Sequence, residues 1–226
     1  MRNRYVIRFT KLGYVKYTSH LDMLRVFKRA FKKAKIQLRY SEGFNPHPKL
    51  GFAQPLSLGY QSIYELLEFE TMLPQNTKEV LEKLKNEMPE GISLESCTEL
   101  NYDFKSLAGE TVSCSYKVYI PCEMTEDEAK AQLDSYLSQS EIIALKRMKK
   151  TKKMEPVNIK DKIQKIEASR LGDFILLDMK LDGGSTSNLS PEQVISSFVE
   201  FAKLSVERYD IEVTRTNIEF DINLLF

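Results

Sequence analysis

The polar and apolar positions of this chain change period several times. Tyr5–Thr10 alternates apolar and polar side chains, the two-residue period of a half-buried strand. Lys11-Leu12-Gly13 predicts a turn, and Tyr14–Tyr17 a returning hairpin arm. From Ser19 the period lengthens. Met23, Val26, Phe27, Ala30, Phe31 and Ala34 recur at the spacing of a buried helical stripe. Ser19 with Asp22 three residues on is a capping-box-like start. Asp22, Arg25, Arg29 and Lys33 fall on the opposite face, flanked by Lys28 and Lys32. Leu50–Leu58 is strand-like but interrupted at Pro55, and Tyr64–Thr71 predicts its partner across Gly59–Ser62. Asn76 caps a second helix reaching about Met88, and Ile92–Leu100 alternates as a strand.

That order of strand, helix, strand, strand, helix, strand is the ferredoxin-like pattern. The second half predicts it again. Val112–Ile120 is a strand, and Thr125 starts a helix to about Leu137 whose acidic first turn suits the helix dipole. Ile142–Met148 and Asp173–Leu181 are the next two strands. Ser190-Pro191-Glu192 opens a helix to about Leu204, with proline at its first position, and Tyr209–Phe220 closes as a strand. A basic insertion, Lys149–Arg170, separates the second and third of these strands. Pro156 breaks it, and Val157–Ile166 reads as a strand or a short helix. The expectation is an α+β chain of two tandem ferredoxin-like units with antiparallel sheets. Residues 1–105 form the first and 106–226 the second, with basic residues 146–170 inserted.

Composition adds little until charge is followed along the chain. At 226 residues with 42% hydrophobic content, a core needs no staples. Cys97, Cys114 and Cys122 are odd in number and widely spaced, which opposes a disulfide framework or a chain-encoded metal cluster. No apolar run reaches the ~18 residues of a membrane span. The N-terminus lacks the apolar stretch of a signal peptide, so a reducing cytoplasm is expected. The net charge is +1, but it is partitioned: residues 1–50 hold 13 Lys/Arg against 2 Asp/Glu, and residues 51–145 hold 6 against 17. Residues 146–165 hold 9 against 2, and the remainder 5 against 11. Blocks of this kind form a polyanion-binding face, or they pair with each other inside the fold.

The candidate chemistry sits in two short stretches, each holding one of the two histidines. His20 follows Ser19 at a helix start, where the dipole favours neutral imidazole. Ser19 and Asp22 beside it are explained as cap and cap partner, which leaves a catalytic triad little footing. His47 lies in YSEGFNPHPKLGF, residues 40–52. Pro46 and Pro48 fix φ and restrict the residues before them. Asn45, His47 and Lys49 are thereby either a stiff display for phosphate or base recognition, or parts of a kinked connector. His20, Asp22 and His47 could also act together in acid–base or metal chemistry. No G-x-S-x-G, Walker-A or G-x-G-x-x-G motif occurs, and the Gly183–Ser187 run reads as a turn. Cations of the first helix lie close in sequence to Tyr5, Tyr14, Tyr17, Tyr40 and Phe44, a mixture that suits RNA with splayed bases and equally suits a core. Lys146–Lys153 (KRMKKTKK) has only Met148 and Thr151 uncharged, and is a solvated loop or a phosphate-tracking arm.

These residues carry a resemblance. Lys11-x-Gly13, Ser19-His20-Leu21-Asp22, Arg25, Arg29-Ala30, Tyr40-Ser41-x-Gly43-Phe44-Asn45-Pro46-His47-Pro48 and Pro55-Leu56 are similar to the signature of the radical SAM-associated (radical SAM-linked) proteins, a bacterial domain-of-unknown-function family. The likeness is dense over residues 5–60 and looser beyond. It implies association with a radical SAM enzyme. The C-x-x-x-C-x-x-C cluster motif of that enzyme is missing here, so the resemblance is to the companion domain.

Together these readings favour a non-catalytic, RNA-binding companion module without a cofactor of its own, with tRNA or rRNA and a radical SAM enzyme as partners and no membrane. Arg25, Arg29, Lys33, Lys49, Lys149, Lys150, Lys152 and Lys153 are the expected phosphate contacts, and Asn45 and His47 the contacts to base or sugar. The alternatives are an RNA-acting enzyme using His20, Asp22 and His47, and a protein–protein adaptor.

Overall fold

The computed structural model describes residues 3–101, 104–148 and 150–221. The chain divides into two compact units. The first runs to Thr111 and takes back the chain from Asn217, and the second is Val112–Thr216. The expected division at 105/106 had the chain pass from one unit to the other once. In the structure the first unit extends to Thr111 and includes Asn217–Asp221.

In the first unit, β1 (Asn3–Lys11) is followed by α1 (His20–Lys33), β2 (Leu50–Phe52), β3 (Gln61–Thr71), α2 (Thr77–Lys85) and β4 (Ile92–Glu99). The sheet order is β4-β1-β3, with β2 on β3, and the pairings of β1 with β3 and β4 and of β2 with β3 are antiparallel. The stripe read from the sequence is the packing face of α1. Met23, Phe27, Ala30 and Phe31 are buried against Tyr5, Ile7, Phe9, Leu67 and Phe69 of the sheet. Each large side chain buried here contributes ~1.5–3 kcal/mol of transfer free energy. A one-turn helix, α3 (Leu107–Glu110), ends the unit.

Two local expectations fail here. Tyr14–Tyr17 is no hairpin arm: Gly13–Tyr17 is a 3-10 turn. Gly13 takes φ +68°, and the buried Lys11 ammonium holds the turn by donating to the carbonyls of Thr18 (2.9 Å) and Lys16 (3.3 Å). The strand expected over Leu50–Leu58 stops at Phe52, since Pro55 has no N–H to continue a ladder.

In the second unit, β5 (Thr111–Pro121, in this unit from Val112) leads to α4 (Glu126–Ser138), β6 (Ile143–Arg147), β7 (Met154–Asn158), β8 (Ile163–Leu171), β9 (Phe174–Asp182), α5 (Pro191–Phe201) and β10 (Glu212–Phe220, in this unit to Thr216). Its sheet runs β10-β5-β9-β8, and β6 pairs with β7 in a separate two-stranded sheet. Thr125 and Glu128 form a complete capping box on α4. The place expected for Ile142–Met148 in the main sheet is taken by β8. Only Ala144 is buried in β6, whereas β8 turns Ile166 and Ala168 inward and pairs with β9 from Ile163 to Leu171. The charges interspersed in IQKIEASRL hide that alternation. No helix among the described residues is long and apolar enough to cross a membrane.

Candidate anion-binding site

Both ends of α1 are built by short-range bonds. At its start, Ser19 Oγ accepts the N–H of Asp22 (3.2 Å) and donates to its carboxylate (2.7 Å), while Arg25 donates to the other carboxylate oxygen (2.7 Å). The Ser19 hydrogen bond, followed by Arg25, holds the Asp22 carboxyl below its ordinary range. Arg25 is thus occupied by a neighbour on its own helix. At the far end Lys35 adopts φ +56°, its N–H bonds the Lys32 carbonyl, and the Ile36 N–H reaches the Phe31 carbonyl. This is the left-handed closure usually made by glycine. Here it turns a lysine off the end of the helix.

The proline-rich loop is fastened at its base and open at its tip. Arg39 N–H donates to the Glu70 carbonyl and Lys49 N–H to the Arg39 carbonyl, both at 2.8 Å. Further out, Ser41 N–H donates to the His47 carbonyl (2.8 Å). Ser41 Oγ accepts the His47 N–H (3.1 Å) and lies 2.9 Å from Nδ1. The Ser41 hydroxyl thus fixes the plane of the imidazole, and Nε2 is turned away from that bond. Gly43 at φ +126° makes the bend, and Phe44, Asn45 and His47 are exposed.

Loop and helix meet at one depression. Lys28, Lys32 and Lys35 line it from α1 and its closing turn, Tyr40 and Pro48 line it from the loop, and Ile36, Leu38 and Met72 supply apolar surface. Its volume is about 710 Å³. Among the described residues no carboxylate lies within 4 Å of any of the three ammonium groups. Uncompensated cations around an apolar concavity with an aromatic wall can hold phosphate and shelter a flat ring together.

The residues expected from sequence are placed differently. Arg29 is exposed and has no ion pair among the described residues, Lys33 pairs with Glu87 (2.9 Å), and Lys49 with Glu70 (3.3 Å). The line Arg25, Arg29, Lys33 is therefore not the face that meets the loop. The flanking cations Lys28 and Lys32 are, joined by Lys35. Of the five aromatics, Tyr5 is core and stacks on Phe69, while Tyr14, Tyr17, Tyr40 and Phe44 are exposed. His20 is half-buried with its ring edge on Phe52 and lines a cavity of about 20 Å³ with buried Lys11 and Glu65. That volume is roughly one water, too small for a nucleobase. His20, Asp22 and His47 have separate partners, and no group of three His, Cys, Asp or Glu able to hold a metal occurs among the described residues. Lys150, Lys152 and Lys153 are exposed in the β6–β7 turn of the second unit, and Lys149 lies outside the described residues.

A family model of uncharacterized proteins conserved in bacteria, DUF2344, matches residues 4–191. The chain belongs to DUF2344. Comparison with curated proteins finds no match. Among solved structures, the chain is similar to part of a Cbf5-Nop10-Gar1 complex, with TM-score 0.50 and 12% identity over 95% of this chain. This DUF2344 chain covers 48% of that one, about half its length. It also matches an unknown protein from Galdieria sulphuraria at TM-score 0.27 and 10% identity, covering 98% of this chain and 100% of that one. At these identities the first likeness speaks for an α+β fold of ferredoxin-like type and for nothing finer.

Proposed function

We propose that the chain is an RNA-binding module, holding single-stranded RNA in the depression of its first unit, and that it serves as the companion of a radical SAM enzyme. The observation that carries the binding role is the set Lys28, Lys32 and Lys35 around a concavity walled by Tyr40, with no carboxylate within 4 Å among the described residues. Cations left without counter-charges favour a polyanion. An apolar surface between them favours an unpaired base over a duplex. Asn45 and His47, exposed on the same fastened loop, are the added polar contacts. The β6–β7 turn with Lys150, Lys152 and Lys153 is a second phosphate contact. The partner enzyme rests on the resemblance of the Ser19–Asp22 and Gly43–Pro48 motifs alone. We read both units as ferredoxin-like. The orders β4-β1-β3-β2 and β10-β5-β9-β8, each first strand beside the last and the third, support that reading.

The test is fluorescence anisotropy with a labelled oligouridine of about twelve nucleotides and with total tRNA. Replacing Lys28, Lys32 and Lys35 by alanine weakens oligouridine binding about ten-fold or more, while Arg25→Ala changes it less than about two-fold. Absence of binding by the unaltered chain at low salt overturns the proposal. Co-elution of the purified chain with a purified radical SAM enzyme from the same bacterium tests the companion role.

A further inference from the structure

The second unit has a groove of about 760 Å³ that the RNA reading does not use. One wall is four consecutive residues of and before β6, Ile142–Leu145, and the other is Gln193, Ser196 and Glu200 on α5. Alternate side chains of a strand point to opposite faces, so four residues in a row present an edge. Among the described residues β6 pairs with β7 alone, so that edge carries no further strand. The register tells which groups it offers. Leu145 faces Pro156, which has no N–H and cannot take part in a hydrogen-bonded pair. The bonded pairs are therefore Ala144 with Val157 and Lys146 with Glu155, and the N–H and C=O of Ile143 and Leu145 point to the free side.

The surroundings state what would fit. Ile143, Leu145 and Met154 are 49%, 58% and 55% exposed, more apolar surface than a solvent-facing hairpin needs. Glu141 and Glu200 line the same groove without a cation within 4 Å among the described residues, whereas Glu192 is taken by Arg208 (2.6 Å). Gln193 lines it as well, and its Nε2 is sealed from solvent with no hydrogen-bond partner among the described residues. Rotation of its end group toward an added backbone gives that amide an acceptor.

We propose that this groove binds an extended peptide segment of a partner protein, alternating apolar and cationic residues, added as a strand to β6. Its backbone bonds Ile143 and Leu145, its apolar side chains cover those same two residues, and its cations meet Glu141 and Glu200. The probe is a labelled, amidated Lys-Val-Lys-Val-Lys-Val peptide, with Glu-Val-Glu-Val-Glu-Val as comparison, titrated by anisotropy against the full chain. The lysine peptide binds about ten-fold or more tighter than the glutamate peptide. Ser196→Arg, on an exposed helix position that tolerates arginine, weakens it by a similar factor. The lysine triple variant of the first unit leaves it unchanged, which separates this site from the RNA site. No binding, equal binding of both peptides, or indifference to Ser196→Arg overturns the proposal. So does a dimer of this chain that Ser196→Arg dissolves, since the occupant is then a second copy.

Discussion

Arg4 is a cation buried in the first strand, 5% exposed, and its removal has a cost that the structure fixes. Its Nε donates to Glu68 Oε1 (3.0 Å), a terminal nitrogen pairs with the same oxygen, and the other terminal nitrogen donates to the Phe104 carbonyl (2.6 Å). Glu68 Oε2 accepts the N–H of Leu107 (2.8 Å), and the guanidinium lies over the Phe104 ring. The pair thus ties the segment leading into α3 onto β1 and β3. Arg4→Met keeps the stem but leaves a shielded carboxylate without its cation and a carbonyl without its donor. Breaking one side of a buried pair costs ~3–5 kcal/mol. Adding Glu68→Leu removes that uncompensated charge and orphans one more backbone group, the Leu107 N–H, at about 1–3 kcal/mol. The double variant should therefore be more stable than Arg4→Met alone. Urea unfolding followed by circular dichroism reads this as a shift of midpoint at constant slope. A single variant within about 1 kcal/mol of the unaltered chain, or a double variant worse than Arg4→Met, would refute the reasoning.

Three further outcomes follow from local geometry. Gly91 sits at φ +88°, and a Cβ there would lie 2.5 Å from the Leu12 carbonyl oxygen, so Gly91→Ala should cost at least about 2 kcal/mol and loosen the Gly13–Tyr17 turn. Burial pushes the Cys97 thiol up to about 12, so iodoacetamide near pH 8 should label it only after unfolding; fast labelling of the native chain would refute this. Asp22 has a depressed folded value, so its ionised form stabilises the fold above its ordinary 3.8, and that contribution is lost as pH falls through the lower folded value. The stability gap between the native chain and Asp22→Asn should accordingly be present at neutral pH and close in acid.

The elements with strong local signals were legible from sequence. The α1 stripe, the Ser19, Asn76 and Thr125 caps and the proline start of α5 depend on neighbours three or four residues away, and sequence contains those neighbours. Elements settled by distant contacts were not. The Gly13–Tyr17 turn is held by Lys11 and by bonds of Leu12 to Gly91 and of Lys16 to Gly59, none of which a window of residues reveals. The β8 strand hides its two inward residues among charges, while β6, with the better apolar run, belongs to a hairpin of its own. In the site, the prolines pointed to a stiff loop, but the bonds of Ser41 to His47 and of Lys49 to Arg39 that fasten it were not visible in the sequence. The choice among the α1 cations needed the partners: Asp22 occupies Arg25 and Glu87 occupies Lys33. Lys35 was missed because the chain leaves the helix there in a left-handed turn that its lysine does not advertise.

The salt dependence of RNA binding tests the central claim most directly. Each phosphate neutralised on a single strand contributes about −0.7 to the slope of log affinity against log salt. Three lysines in contact make the slope of the unaltered chain steeper than that of the Lys28→Ala, Lys32→Ala, Lys35→Ala variant by about two units. A four-fold rise in salt then costs the unaltered chain ~20-fold more affinity than the variant. Equal slopes in the two proteins, or a larger change on replacing Arg25 and Arg29, would contradict the account.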